Sequence, residues 1–263
     1  MNIGVFQFKG SGNLKQNHDA ILRGISDASK ADVRLLVFQE CATTGYPPVE
    51  LSSIDAIDFN QLEMYDSVIR NLAEKHNMFI ALGTIRKDES VTFNSIKLIG
   101  PKGEDIGYYD KRALWGWDTE NFEEGNTPGV FEIDGLRIGF RICFEVRFPE
   151  FFRELFESNV QLVFVSFCDV SEVELKTRYD VIKSHLITRA VENVMTVVSV
   201  NSASHYQTAP TAVFSPDGDV IDEANINEEQ LIVYNFEQPE ISFGRKGRIE
   251  ISSKLLNENA SRT

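Results

Sequence analysis

Three residues stand where apolar, strand-like runs give way to charge. Cys143 follows Gly139-Phe140-Arg141-Ile142 and precedes Phe144-Glu145-Val146-Arg147-Phe148-Pro149-Glu150. Glu40 ends Leu35-Leu36-Val37-Phe38-Gln39, and Lys111 follows Ile106-Gly107-Tyr108-Tyr109-Asp110. A thiol is a nucleophile, a carboxylate is a proton acceptor, and an ammonium can face the negative charge that develops on a carbonyl oxygen. A base, a cation and a nucleophile at strand ends point to acyl chemistry on a carbon–nitrogen bond.

Each residue also has a plainer reading. Cys143 alone reads as a small apolar core filler, Glu40 as a solvent-facing acid, and Lys111 as an ordinary surface lysine. Against the first, Glu145 and Arg147 beside Cys143 would be costly in a dry core unless paired. Cys168 lies just after another strand in a less charged setting, and Cys41 adjoins Glu40. Three cysteines at wide spacing form neither a disulfide framework nor a zinc pattern. His18, His76, His185 and His205 make no HxH or HExxH arrangement, so no hydrolytic metal centre is expected.

With 40 acidic against 26 basic residues the formal charge is -14, which disfavours a polyanionic partner such as nucleic acid. The start, Met1-Asn2-Ile3-Gly4-Val5-Phe6-Gln7-Phe8-Lys9, reads as a first strand rather than a signal peptide. The apolar runs are too short to span a bilayer. The expectation is a soluble, cytoplasmic protein.

The elements that must position these residues alternate. Strands are expected at 2–8, 34–39, 78–84, 93–99, 104–109, 129–134, 136–142, 161–167, 194–200, 209–215, 219–222 and 230–236. Helices are expected at 14–30, with Asn13 as N-cap, at 60–76, from Pro149 to about 158, and from Val173 to Glu192. Asp134-Gly135 predicts a hairpin. Residues 112–128 read as a long loop bearing Trp115, Trp117 and an acidic cluster, a suitable wall for a site. The tail from about 240 is polar and poorly periodic, and is expected to pack on a partner subunit or to fray. No linker divides the chain, so residues 1–263 read as one α/β domain with helices covering mixed sheets.

The runs around Glu40, Lys111 and Cys143 closely resemble the nitrilase superfamily of carbon–nitrogen hydrolases. The resemblance lies in Phe38-Gln39-Glu40-Cys41-Ala42-Thr43-Thr44-Gly45-Tyr46, in Tyr109-Asp110-Lys111-Arg112-Ala113-Leu114-Trp115, and in Cys143 to Glu150, in family order over residues 1–236. It implies a four-layer αββα sandwich and a homodimer or higher homo-oligomer, with Phe151, Phe152, Leu155 and Phe156 at the dimer interface. It implies a Glu40–Lys111–Cys143 triad, with the Phe144 backbone N–H completing an oxyanion hole. Many relatives carry a second glutamate after the lysine, and Glu120 lies where it would fall. Arg189 and Glu192, three apart on one helix face, are expected to hold each other.

The implied reaction is hydrolysis of a small amide through a cysteine thioester, with no cofactor and no metal. Gln39 stands where proline is frequent, and Phe144-Glu145 replaces a more usual Tyr-Asp. Ser166-Phe167-Cys168 departs from the family where it shapes its pocket. Candidate pocket residues are Tyr46, Trp115, Trp117, Glu145, Arg147, Phe167, Cys168 and Arg178. Arg147 or Arg178 would suit a substrate carboxylate. The acids Asp118, Glu120, Glu123 and Glu124 would suit a carbamoyl amine. An N-carbamoyl amino acid hydrolase, a carbamoyl amine hydrolase, a true nitrilase and a non-catalytic scaffold remain the alternatives.

Overall fold

Two runs of parallel strands, each extended by antiparallel neighbours, organise the computed structural model, which describes residues 1–204, 206–238 and 240–260. The first sheet contains β1 (Asn2–Gln7), β2 (Leu35–Phe38), β3 (Phe79–Asp88), β4 (Val91–Ile99), β5 (Asp105–Asp110) and β14 (Gln230–Asn235), in the order β14-β1-β2-β3-β4-β5. The second contains β6 (Val130–Ile133), β7 (Leu136–Ile142), β8 (Leu162–Phe167), β10 (Thr196–Asn201), β12 (Ala212–Phe214) and β13 (Val220–Glu223), in the order β13-β12-β10-β8-β7-β6. β1, β2 and β3 run parallel, as do β7, β8 and β10. β9 (Val170–Ser171) and β11 (Tyr206–Gln207) add a small ribbon.

Helices α1 (Leu14–Lys30) and α2 (Phe59–His76) cover the first sheet, and α4 (Pro149–Glu157) and α5 (Lys176–Asn193) cover the second. Period-two alternation explains the layers. Val5, Val37, Ala81, Ile96 and Leu98 point inward to meet Phe140, Ile142, Phe164 and Val198 of the other sheet. Phe6, Leu36, Phe38, Ile80 and Leu82 point outward onto Ile21, Ile25 and Ile69. Val163, Val165 and Val197 pack likewise against Phe152, Ile182 and Leu186. The result is the αββα sandwich.

Local chemistry marks the boundaries. The Asn13 side chain accepts from the Gln16 backbone N–H at 3.1 Å. Asp134 and Gly135 adopt positive φ (49° and 80°), the conformation a two-residue hairpin turn requires. The helix expected from Val173 begins at Lys176, and the 112–128 loop contains one helical turn, α3 (Trp117–Asn121).

The tail differs more. It forms a helix, α6 (Phe243–Ala260), whose apolar residues make no stripe; Phe243, Ile251 and Leu255 are exposed. Its attachment to the chain's own surface includes ion pairs, Arg245 and Arg248 reaching Asp217 at 2.7 and 2.8 Å. Periodicity could not reveal a helix whose apolar residues are spread around its surface. The apolar face of α4 also differs, because Phe152 and Leu155 are spent on the chain's own core and are fully buried.

Two contacts aim the strands. The Ser166 hydroxyl donates to the Phe38 carbonyl at 3.0 Å, tying the end of β8 to the end of β2 across the sandwich. Gly83 on β3 passes so close to the segment after β2 that a Cβ there would lie 1.9 Å from the Gln39 carbonyl oxygen. Gly83→Ala should therefore destabilise the protein by about 1–3 kcal/mol through overpacking, and lower activity about 10²-fold by displacing Glu40. Urea unfolding and amide turnover of the variant check both.

Candidate active site

β2, β5 and β7 all end at one edge of the sandwich. Glu40 lies two residues past β2, Lys111 one past β5, and Cys143 one past β7. C-terminal ends of parallel strands are a recurrent place for binding sites in open α/β sheets. Cys143 opens a short 3₁₀ helix, Cys143–Arg147, with φ of +47°. That left-handed conformation is uncommon for a non-glycine residue. It makes the chain turn sharply beneath the thiol.

Glu40 is 1% exposed and fully engaged. Its Oε1 accepts from Lys111 Nζ at 2.8 Å and from Asn94 Nδ2 at 2.7 Å, while Oε2 accepts from the Cys168 backbone N–H at 2.8 Å. Lys111 Nζ also donates to Asp118 Oδ2 at 2.7 Å, and Asp118 Oδ1 accepts from the Tyr46 hydroxyl at 2.7 Å. The Tyr46 ring faces the ammonium at 5.7 Å. The buried centre is thus a lysine clamped between two carboxylates.

Burial raises the Glu40 pKa above the usual carboxylate range, and the nearby Lys111 charge only partly offsets it. Burial alone would lower Lys111, but the negative charges of Glu40 and Asp118 reverse that, and it stays an ammonium. Burial and the Glu40 charge push the Cys143 thiol well above the ordinary range, with Lys111 acting in the opposite direction. At rest the group is a neutral thiol. The arrangement can move its proton to a carboxylate of raised basicity and can offer an ammonium to an oxyanion.

The open side of Cys143 is a cleft of about 370 Å³ lined by Trp115, Phe144, Arg147, Asp169, Arg178 and Ile182. Phe144 lies in the first turn of the 3₁₀ helix, where backbone N–H groups lack intrahelical acceptors. The Arg178 guanidinium meets Asp169 at 2.6 Å. Arg147 packs over the Phe144 ring at 5.8 Å. Trp115 is 74% exposed at the rim. A second crevice of about 390 Å³ lies beneath α2 among Leu14, Ile21, Leu62, Tyr65 and Lys97. It contains no cysteine, and its buried lysine, Lys97, is held by Asp66 and Asp105 at 2.5 and 3.1 Å.

Several expected site residues fall elsewhere. Glu120 is exposed, and Asp118 reaches Lys111 instead. Two positions apart on a helical turn differ in direction by about 200°, so α3 turns one inward and the other out. Phe167 is fully buried in the core beneath α5. Cys168 serves Glu40 through its backbone, and burial keeps its own thiol neutral. Trp117 packs edge-on against Phe122 at 5.7 Å. Glu145 is buried behind the cysteine turn rather than lining the cleft. Arg189 and Glu192 do pair, at 2.9 Å, and Arg189 also donates to the Val146 and Arg147 carbonyls, fastening the cysteine turn to α5. Asn94 and Asp169 were not anticipated. Asn94 shares its strand with Thr92, Ser95 and Lys97, so its residue type did not single it out.

A family model described as carbon–nitrogen hydrolase matches residues 2–246. A 2-oxoglutaramate amidase from Bacillus subtilis (strain 168) is 32% identical over 179 residues, covering 66% of this chain and 65% of that protein. The chain thus aligns with slightly under two thirds of that relative's length. A nitrilase from Pyrococcus abyssi (strain GE5 / Orsay) is 31% identical over 142 residues, covering 53% of this chain and 54% of that protein. The amidase from Nesterenkonia sp. AN1, in a structure showing covalent addition of the acetamide moiety of fluoroacetamide at the active site cysteine, superposes with a TM-score of 0.81. It is 21% identical and covers 98% of this chain and 96% of its own, a likeness of fold. No helix among the described residues is long and apolar enough to cross a membrane.

A resting thiol rather than thiolate has a measurable consequence. Labelling of Cys143 by methyl methanethiosulfonate, followed by mass spectrometry, should still be accelerating at about pH 9, above the ordinary thiol pKa of about 8.5. A plateau between about pH 6 and 7 would instead reveal a preformed thiolate.

Proposed function

The chain belongs to the carbon–nitrogen hydrolase family, and we propose that it hydrolyses a small amide bearing a remote carboxylate, with Cys143 as nucleophile. The observation that carries this reading is the buried Glu40–Lys111–Asp118 cluster at the strand edge where the Cys143 turn opens onto a cleft. Glu40 accepts the thiol proton as sulfur attacks the amide carbon. The Lys111 ammonium and the Phe144 N–H hold the oxyanion. The tetrahedral species collapses to a thioester, and Glu40 returns the proton to the departing ammonia. Glu40 then deprotonates a water that attacks the thioester, releasing the acid and restoring the thiol. Asp118 and Tyr46 hold Lys111 in place during both halves.

The substrate class rests on the cleft wall. Two guanidiniums, Arg147 and Arg178, face the cleft beside one acid, Asp169. An excess of positive charge outside the thiol favours a carboxylate at the far end of the substrate. A relative that is 32% identical acts, by its name, on 2-oxoglutaramate, an amide of this kind. The exposed acids Glu120, Glu123 and Glu124 do not line the cleft, which disfavours a carbamoyl amine.

Ammonia release from succinamate, butyramide, an N-carbamoyl amino acid, a carbamoyl amine and a nitrile, with Cys143→Ala alongside, tests the reading. Succinamate should be turned over best, and the variant should be silent. Preference for the carbamoyl amine would overturn the substrate class, and activity surviving in the variant would overturn the nucleophile. Arg147→Gln should raise KM for succinamate about 10-fold, as expected for one lost charged hydrogen-bonding contact, while changing butyramide turnover little. Asp118→Asn should lower kcat about 10²-fold or more, whereas Glu120→Gln should stay within about 2-fold of the parent. The reverse order would return the second acid to position 120.

A further inference from the structure

Glu145 is fully buried, yet its carboxylate touches neither the cleft nor the Glu40–Lys111–Asp118 cluster. Its two oxygens divide their work. Oε2 accepts from the Ile142 backbone N–H at 2.6 Å, the residue immediately before Cys143. Oε1 accepts from the Arg112 N–H at 2.7 Å and the Ala113 N–H at 3.4 Å, the two residues immediately after Lys111, and from the Tyr109 hydroxyl at 2.8 Å. One rigid, three-atom carboxylate therefore joins the backbone entering the cysteine turn to the backbone leaving the lysine. These two segments belong to different sheets and are far apart in sequence.

The donors are arranged for an anion. Three are backbone N–H groups, which can only donate, and each oxygen faces at least one of them, so both oxygens accept. Burial and the Glu145 charge push the Tyr109 phenol well above its usual range, keeping it a donor. Arg141, buried with its guanidinium 5.4 Å from the Tyr109 ring, supplies a nearby positive charge. A buried carboxylate with this many donors is a strong, directional tie.

The geometry points to Glu145 as a positioning residue that sets the spacing between the Cys143 thiol and the Lys111 ammonium. It rests on Cys143 and Lys111 being the reacting pair. It acts through the backbone on either side and makes no contact with substrate. A shift of about 1 Å in such a spacing can cost about 10²-fold in rate.

Glu145→Gln and Glu145→Asp separate this role from packing. Glutamine matches glutamate in size but turns one acceptor into an NH₂ that must face an N–H or O–H donor. Aspartate is shorter but keeps two acceptors. Positioning through acceptors predicts kcat falling about 10²-fold in Glu145→Gln and less in Glu145→Asp, with KM within about 3-fold for both. A role in packing alone predicts the opposite order, with glutamine the milder change, and that order would overturn the proposal. A rise in KM at unchanged kcat would overturn it too, making Glu145 part of the substrate wall.

Alkylation of Cys143 by iodoacetamide, read by mass spectrometry across pH, needs no substrate. It should slow in Glu145→Gln at every pH below about 9, because Lys111 no longer sits at its set distance. An unchanged profile would sink the idea. Should both variants fail to fold, Tyr109→Phe removes a single donor and leaves the acid. It should lower kcat about 5-fold, in line with one hydrogen bond, with KM unchanged, and parental kcat there would overturn the proposal. Cys143→Ala, run in parallel, keeps the two readings apart: turnover surviving in it counts against the nucleophile, whereas the Glu145 series bears on spacing alone.

Discussion

A lysine ammonium enclosed between two carboxylates, out of reach of water, is the constraint on which the other features converge. Taking Lys111 from solvent is costly, and so is taking Glu40 or Asp118. The cluster is tolerable because each charge has a partner at 2.7–2.8 Å and the remaining lone pairs are filled by Asn94, Tyr46 and the Cys168 N–H. With two acids to one cation the cluster carries an excess of negative charge. That excess, together with burial, explains why Glu40 is more basic than an ordinary glutamate and why the neighbouring Cys143 keeps its proton.

Such a cluster needs a frame that does not yield, and the sandwich supplies one. Each sheet has a parallel trio whose C-terminal ends face the same edge, so Glu40 and Cys143 arrive from opposite sheets. The meeting is fixed by polar ties between backbones rather than by apolar packing alone. Ser166 binds the Phe38 carbonyl, Arg189 binds the carbonyls under the cysteine turn, and Glu145 spans from that turn to the segment after Lys111. Apolar contacts are non-directional. Directional hydrogen bonds are better suited to holding side chains to tenths of an ångström.

The cleft adds a different polarity. Its floor is a thiol beside buried negative charge, and its wall carries two arginines, one restrained by Asp169. A substrate with an uncharged amide and a distant carboxylate matches both ends. The chain as a whole is acidic, so this local positive charge is a property of the cleft and does not follow from composition.

Much of the frame was legible in the residues themselves. Alternating apolar residues marked the strands, Asn13 and Pro149 marked helix starts, and Asp134-Gly135 marked a hairpin, because these are local preferences a short segment expresses by itself. The strand-end placement of Glu40, Lys111 and Cys143 was legible for the same reason. The acid that joins Lys111 was not. Asp118 and Glu120 are chemically alike and two residues apart, and only the direction of one helical turn distinguishes them. The role of Glu145 was equally hidden, since three of its four partners are backbone N–H groups, two of them following a strand of the other sheet, and backbone groups look alike in every sequence. Helix α6 escaped because its apolar residues do not gather on one face: Ile249 and Leu256 are half-buried while Phe243, Ile251 and Leu255 are exposed, and ion pairs to Asp217 help to hold it. Sequence alone determined which groups were present and which elements carried them. Their mutual distances and protonation were decided only when two sheets closed over them and removed the water.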